Sequence, residues 1–452
     1  MKKWWSVLCL LLLATMFSAQ TTKQEERPLF IPGEVVVRVS DPSLMAAMPS
    51  SKSLGPSDIF VVKDTTGKDV NALVDELQSR PGVIYAEPNY LYYASETPND
   101  PQFSQLWGLN NTGQTGGAAD ADIDAVEAWD VQKGSADILV AVIDTGVDYK
   151  HPDLAANMWT NPGEDPWADP NDPTSGNGID DDNNGFIDDW RGWDFVNRDN
   201  DPFDDNVHGT HVAGTIGAVG NNGIGVTGVN WTVEIMPLKF LSSSGSGSLS
   251  DAIEAITYAA RFGAHVMNNS WGGGGRSQAL EDAIKFANQQ GSLFVAAAGN
   301  NGTDNDATPN YPSNYEVENV LAVAAIDHEG NLAVFGSGGG GGICGGCLGE
   351  VLPVPGSNYG ATTVDLAAPG KNILSTTPNN GYQSLSGTSM ATPHVAGIAA
   401  LTLAQFPALT NIQLKNRLMA SVDVKSGLQG KMVTGGILNA FKAVSAPLAA
   451  AP

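Results

Sequence analysis

The chain has 452 residues, 42% of them hydrophobic, enough to bury one large core and one small one. Asp and Glu outnumber Lys and Arg by 49 to 23, for a formal net charge of −26. That balance excludes nucleic acid as a partner, because phosphate binding needs basic clusters, and it leaves carboxylates free for a cation such as calcium.

The chain opens with two lysines, an apolar middle and a small-residue close at Ala19. This pattern predicts a secretory signal peptide over 1–19, with an extracellular or periplasmic product. The apolar run is too short to span a bilayer, so no membrane anchor is expected in the mature form. Residues 28–95 read as a separate small domain. Within it, Gly33–Val39 is a strand, Val70–Gln78 has apolar residues at helical spacing, and Gly82–Tyr92 is a second extended stretch.

From residue 99 apolar strands alternate with helices. Strands are predicted at Ile138–Ile143, Glu234–Phe240, Ala264–Asn269, Ser292–Ala297, Val320–Ile326 and Val364–Ala367. Helices are predicted near 209–218, 249–262, 277–289, 390–404 and 411–420. Such alternation implies a mainly parallel sheet covered by helices on both faces, a three-layer α/β/α fold.

Several polar residues punctuate this pattern. The first strand ends in Asp144, a carboxylate at the edge where open α/β sheets place their sites. The run Asp180-Asp-Asp182-Asn-Asn184-Gly185-Phe186-Ile-Asp188-Asp189 puts oxygen-bearing side chains at positions 1, 3 and 5 and Gly at 6. This arrangement wraps oxygens around calcium, with Phe186 offering its carbonyl and Asp188 or Asp189 a carboxylate. The twelfth position is Arg191 rather than Glu, so the loop is not an EF-hand. His208-Gly-Thr-His211 lies where a helix begins; its spacing does not match the zinc helix of His-Glu-x-x-His metalloproteases. The fourth strand is followed by Ala298-Gly299-Asn300. Gly387-Thr388-Ser389 places a hydroxyl at the start of an apolar helix, whose free N–H groups suit a developing oxyanion.

Asp144-Thr-Gly, His208-Gly-Thr-His211 and Gly387-Thr-Ser389-Met-Ala, in that order, resemble the motifs of the subtilisin-like serine proteases. The resemblance covers nearly all of the chain after residue 98. It implies Ser389 as nucleophile, His208 as general base and then acid, Asp144 as the partner that orients the imidazole, and Asn300 as oxyanion donor. It also implies a primary specificity pocket walled by Ser270, Trp271, Gly272, Ala298 and Gly299, with Asn310 near its base. No acidic selector stands out there, so apolar or aromatic residues are the expected preference. The segment 28–95, and Val83-Ile-Tyr-Ala-Glu-Pro-Asn89 above all, resembles the inhibitor-like propeptide of this family. The implied product is a zymogen that cuts itself between about Tyr92 and Asn99 and is inhibited in the interim by its own propeptide. The mature peptidase domain would cover 99–448 and act as a monomer on proteins or peptides. A second calcium site is implied at Asp100, Asp153 and Asn222, helped by the carbonyls of Ile224 and Val226.

One departure and two rivals complete the reading. Residues 336–356, with Cys344-Gly-Gly-Cys347, interrupt a segment that runs straight on in relatives, so they read as a surface insertion. Two thiols do not complete a structural zinc site. The rival function is a catalytically silent peptide-binding protein on the same scaffold, against which all four catalytic positions are filled. An α/β-hydrolase esterase needs a Gly-x-Ser-x-Gly elbow and the order Ser, Asp, His, neither of which is present.

Overall fold

A computed structural model describes residues 30–46, 50–55, 58–91, 96–336 and 355–445. The expected leader 1–19, residues 92–95 of the expected cleavage window, and Cys344 and Cys347 lie outside the described residues. The chain divides into two compact units, Met1–Ala94 and Ser95–Pro452. No helix among the described residues is long and apolar enough to cross a membrane.

The first unit is an antiparallel sheet backed by a helix. Its strands are β1 (Phe30–Val39), β2 (Ser51–Ser53), β3 (Ile59–Lys63) and β4 (Val83–Tyr90), in spatial order β2-β3-β1-β4. Alternate residues of β1, Val35, Val37 and Val39, face one side. They pack with Val70, Leu73 and Leu77 of helix α2 (Val70–Gln78), which follows the single turn α1 (Ser43–Ala46). Asp69 caps α2 by accepting from the N–H groups of Asn71 and Ala72 at 3.0 and 3.2 Å.

The second unit carries a nine-stranded sheet. Seven of its strands are β5 (Gly134–Asp144), β6 (Trp193–Asp194), β7 (Thr232–Lys239), β8 (Val266–Asn269), β9 (Leu293–Ala297), β10 (Val320–Ile326) and β11 (Leu366–Pro369). A hairpin of β12 (Ile373–Thr377) and β13 (Gly381–Leu385) stands apart, while β14 (Val422–Val424) and β15 (Gly436–Leu438) close one edge. The order is β14-β15-β11-β10-β9-β8-β5-β7-β6, parallel throughout except for the β14–β15 pair.

Both faces are covered, and β5 shows why its sequence is apolar without alternation. Val140 and Val142 join the cluster of Val212, Ile216, Val395 and Ile398. Leu139, Ala141 and Ile143 join that of Ala255, Ile256, Ile284 and Ala287 on the opposite face. The covering helices are α4 (His208–Gly217) and α7 (Thr388–Gln405) on one side, α5 (Leu249–Arg261) and α6 (Gln278–Gln289) on the other. Short α3 (Ala125–Trp129), α8 (Asn411–Ala420) and α9 (Ala440–Val444) complete the unit. The five predicted helices and six predicted strands of this unit all form, with ends shifted by a few residues.

The insertion begins and ends at one point. Phe335 N–H donates to the Pro355 carbonyl at 2.7 Å and Ser357 N–H to the Ala333 carbonyl at 2.8 Å. This ladder holds its two roots together, so the framework is continuous across it.

Candidate active site

The carboxyl ends of the central strands deliver the polar residues. Asp144 is the last residue of β5, Ser270 follows β8, and Asn300 follows β9. Asp144 is fully buried. Its Oδ1 accepts from the Thr145 N–H at 2.7 Å and from His208 Nδ1 at 2.8 Å. A carboxylate can only accept, so Nδ1 of the neutral ring carries its proton and Nε2 keeps a lone pair. The imidazole side chain is 26% exposed. Burial alone would lower its pKa, but the charge and hydrogen bond of Asp144, with Asp204 behind, hold it above the usual histidine value of 6.5.

His211, one turn further along α4, has a different fate. Its Nε2 donates to the Ile373 carbonyl at 2.9 Å, and burial pulls its pKa down to about 4. His394 inside α7 is likewise drawn to about 4 by burial, with Nδ1 on the Met390 carbonyl at 2.8 Å. Both are neutral packing groups near pH 7.

Ser389 sits in the first turn of α7, among the N–H groups that no helical carbonyl takes. Its hydroxyl donates to the Ser270 carbonyl at 3.0 Å rather than to His208. In return Ser270 Oγ donates to the Ser389 carbonyl at 2.9 Å. That carbonyl is available because its helical partner four residues on is Pro393, which has no N–H. The proline therefore lets the β8 end dock directly onto the serine.

Asn300 is held by its oxygen. Oδ1 accepts from Thr388 N–H at 2.8 Å and Thr388 Oγ1 at 3.0 Å. Its Nδ2 has no hydrogen-bond partner among the described residues. A Cβ added to Gly387 would lie 3.4 Å from Asn300 Nδ2 and 3.6 Å from Ser389 N. Two donors thus border one small space that glycine keeps open.

The expected pocket residues also meet. A Cβ on Gly272 would lie 2.9 Å from Asn310 Nδ2, and one on Gly299 3.2 Å from Asn310 Cγ. Gly299 has φ +109°, which further restricts it to glycine. Trp271 packs on Phe240 with ring centroids 4.9 Å apart, and Ala298 is buried behind.

Family, relatives and folds agree with this geometry. Residues 135–438 match the model of the subtilase family. The chain belongs to the subtilase family. It is 37% identical over 431 residues to the thermophilic serine proteinase of Bacillus sp. (strain AK1), covering 93% of this chain and 89% of that one. It is 37% identical to thermitase of Thermoactinomyces vulgaris, covering 77% of this chain and 99% of thermitase. A solved protease structure from Pseudoalteromonas arctica PAMC 21717 superposes with a TM-score of 0.56 at 29% identity, covering 77% of this chain and 99% of that one. This subtilase is accordingly a serine-type endopeptidase of three-layer α/β/α architecture.

The acidic loop differs in part from its sequence reading. Asp180 and Asp182 lie together, and the third carboxylate beside them is Glu164, their ligand oxygens all within 4.8 Å of one another. Asp188 is engaged elsewhere, accepting from Asn177 and Gly178 N–H at 2.9 and 2.8 Å. Asp189 accepts from Asn161, Asn184 and the Tyr258 hydroxyl. Asn184 Oδ1 takes the Phe186 N–H at 2.7 Å, and the Phe186 ring packs on Trp193 and Tyr258.

Glu164 is 6% exposed, and its Oε2 is buried without a partner. Burial, with Asp189 and Asp182 nearby, pushes its pKa up to about 7. No pattern marks it in the chain: it precedes the loop by 16 residues, in an Asn-Pro-Gly-Glu turn. Asp204 is a further such residue: it stands three positions before the cap residue Val207, outside the capping pattern a sequence displays.

Asp100, Asp153 and Asn222, implied for a second site, lie together. Asp153 Oδ1 accepts from Asn222 Nδ2 at 2.8 Å, and Oδ2 from Val226 N–H at 2.9 Å and the Tyr382 hydroxyl at 3.1 Å. Asp100 accepts from the N–H groups of Asn221 and Asn222, while Ile224 N–H donates to Asn222 Oδ1. The side-chain oxygens of this group therefore each take a donor of the chain's own, Val226 N–H among them.

Proposed function

We propose that this subtilase cleaves peptide bonds through Ser389, His208 and Asp144, with an acyl-enzyme on Ser389. The Asp144–His208 hydrogen bond carries the reading, because it fixes the tautomer that leaves Nε2 able to take a proton. Attack requires the Ser389 hydroxyl to leave the Ser270 carbonyl and turn to Nε2; such contacts commonly tighten only when substrate binds. The oxyanion that forms is met by Ser389 N–H and by Asn300 Nδ2, whose orientation the Thr388 bonds set beforehand. His208 then returns its proton to the leaving amine. Covalent labelling by a serine-directed fluorophosphonate, abolished in Ser389→Ala, is the expected result; undiminished labelling would overturn the assignment.

The first unit is proposed as the propeptide, 28–95, preceding a peptidase domain over 99–448 in a secreted, monomeric enzyme. N-terminal sequencing should find wild-type chain shortened to between about residues 92 and 99 and Ser389→Ala uncut. The pocket of Ser270–Gly272, Ala298–Gly299 and Asn310 is proposed to take apolar or aromatic side chains. A peptide-library profile dominated by Arg or Lys would refute that.

Calcium is proposed at Glu164, Asp180 and Asp182, with Asn184 and the Phe186 carbonyl at hand. The buried, unpartnered Glu164 oxygen supports this site, since a hard dication supplies the charge that three neighbouring carboxylates lack. An ion at Asp100, Asp153 and Asn222 would require the Asn222 amide to turn its oxygen inward. That site is proposed as the weaker one.

A further inference from the structure

Thr145, directly after Asp144, is gripped at both ends. Its hydroxyl donates to Asp204 Oδ1 at 2.9 Å and accepts from the Gly209 N–H at 2.9 Å. Its carbonyl accepts from Lys239 Nζ at 2.8 Å. Asp204 and Lys239 are each 1% exposed, the depth of a core residue. A charge so deep persists only where its hydrogen bonds are met, and both sets are.

The same two side chains hold the loop that carries His208. Asp204 Oδ1 also accepts from the N–H groups of Asn206 and Val207, at 2.9 and 3.1 Å. Its Oδ2 accepts from Thr210 N–H at 2.9 Å and Thr210 Oγ1 at 2.6 Å. Asp204 thereby caps α4 from outside, since Val207 at the cap position has no acceptor side chain. Val207 itself is held at φ +153°, a conformation a β-branched residue keeps only under constraint. Lys239, opposite Asp144 in the β5–β7 register, donates also to Leu241 O at 3.0 Å and Asp205 Oδ1 at 2.6 Å. The strand end bearing Asp144 and the helix start bearing His208 are joined twice, once by each charge.

We propose that Asp204 and Lys239 are positioning residues for proteolysis: acting through Thr145, they fix Asp144 and His208 in mutual register, and Asp204 adds a second negative charge behind the imidazole. This rests on the triad assigned above. The titratable groups around the ring are Asp144 from β5, Asp204 from the loop and neutral His211 on α4; Lys239 and Asp205 pair beyond Thr145. Asp204 is one of the groups holding His208 above 6.5.

The test uses full-length Thr145→Val, Asp204→Asn and Lys239→Met, with kcat, KM, the pH profile of kcat/KM and near-ultraviolet circular dichroism for folding. Thr145→Val keeps the shape and removes only the hydroxyl. It should lower kcat about 10- to 100-fold with KM within about twofold, the scale of a small misplacement of reacting groups. Lys239→Met should act likewise. Asp204→Asn should do the same and also move the acid limb of kcat/KM to lower pH. Folded variants with wild-type kcat and an unmoved limb, or losses only in melting temperature, would overturn the proposal. If Asp204→Asn does not fold, Thr145→Val decides. Full activity of Ser389→Ala would instead overturn the triad, so the two failures are distinguishable.

Discussion

Asp204 beside the Asp144–His208 pair and Glu164 in the acidic loop are both carboxyls deep in the protein, and both are pushed up in pKa chiefly by burial. Their surroundings differ. Asp204 accepts five hydrogen bonds from the chain, and each oxygen is used. Glu164 takes Asp181 and Asp182 N–H on one oxygen, at 2.9 and 3.4 Å, and nothing on the other. A buried acceptor left without a partner costs about 1–3 kcal/mol, more if charged. The first region is complete in its own hydrogen bonds; the second leaves one oxygen open, where the proposed cation would sit. The contrast says where removing a side chain should harm chemistry and where it should harm stability.

Breaking the finished region should cost most. Ser389→Ala should lower kcat about 10⁶-fold, and Asp144→Asn about 10⁴-fold through the wrong imidazole tautomer, magnitudes established for triads of this type including this family. Steady-state assays on a peptide anilide would check both. The pH dependence follows from His208. The base must be neutral, and its pKa is raised above 6.5, so the acid limb of kcat/KM should lie above pH 6.5 and fall in Asp144→Asn. In linkage terms, the protonated ring adds stability at low pH, and that stability is lost as pH rises through the raised folded value. Asn300→Ala should cost about 10²–10³ in kcat with little change in KM, again a figure known from this family. An Asn300→Ala enzyme with unchanged kcat would mean the free amide meets no oxyanion.

Breaking the unfinished region should leave kcat alone and change melting. In a Ser389→Ala background, which removes autolysis, calcium at a hundredfold over its Kd should add about 2.7 kcal/mol. For a chain of this size that raises Tm by roughly 2 °C per kcal/mol. Glu164→Gln should reverse sign with the metal. Without calcium it replaces an unpartnered charge by a neutral amide and should melt higher than its parent; with calcium it should lose most of the gain. A variant that melts equally below its parent in both conditions would remove the metal from the argument and leave Glu164 as ordinary packing.

Chain order and spacing made much of this legible. Strand–helix alternation marked the sheet, because parallel strands buried on both faces read as unbroken apolar runs, as Ile138–Ile143 does. The dyad, the serine and Asn300 each lie at the end of such an element and carry motif neighbours. What escaped is what folding brings from elsewhere. Glu164 reaches the acidic loop across 16 residues of irregular chain, with no period to betray it. Lys239 reads as the polar end of a strand, and nothing local says that its ammonium is buried under Thr145. The loop also divided its carboxylates unexpectedly: Asp188 turns to the Asn177 and Gly178 N–H groups, while Asp189 stays beside Asp182, the two sharing the Asn161 and Asn184 amide donors.

The insertion 336–356 gives the smallest expected effect and the sharpest use of the contrast. If a region is complete once its own hydrogen bonds are made, then a segment whose roots are tied to each other should be removable. Those roots are tied by Phe335 to Pro355 and Ser357 to Ala333, and Gly356 N–H further donates to the Asn300 carbonyl at 3.2 Å. Replacing 337–354 by a short Gly-Asn turn keeps every one of these bonds and shortens a loop whose closure costs only about 0.6 kcal/mol per doubling of length. Activity on a small peptide should therefore stay within about threefold and Tm within a few degrees. Cutting back to remove Gly356 as well should be worse than the larger part of the deletion, because it unties the backbone of the residue whose amide faces the oxyanion space. A deletion of 337–354 that abolished hydrolysis while leaving the fold intact would show that the insertion itself reaches into substrate binding.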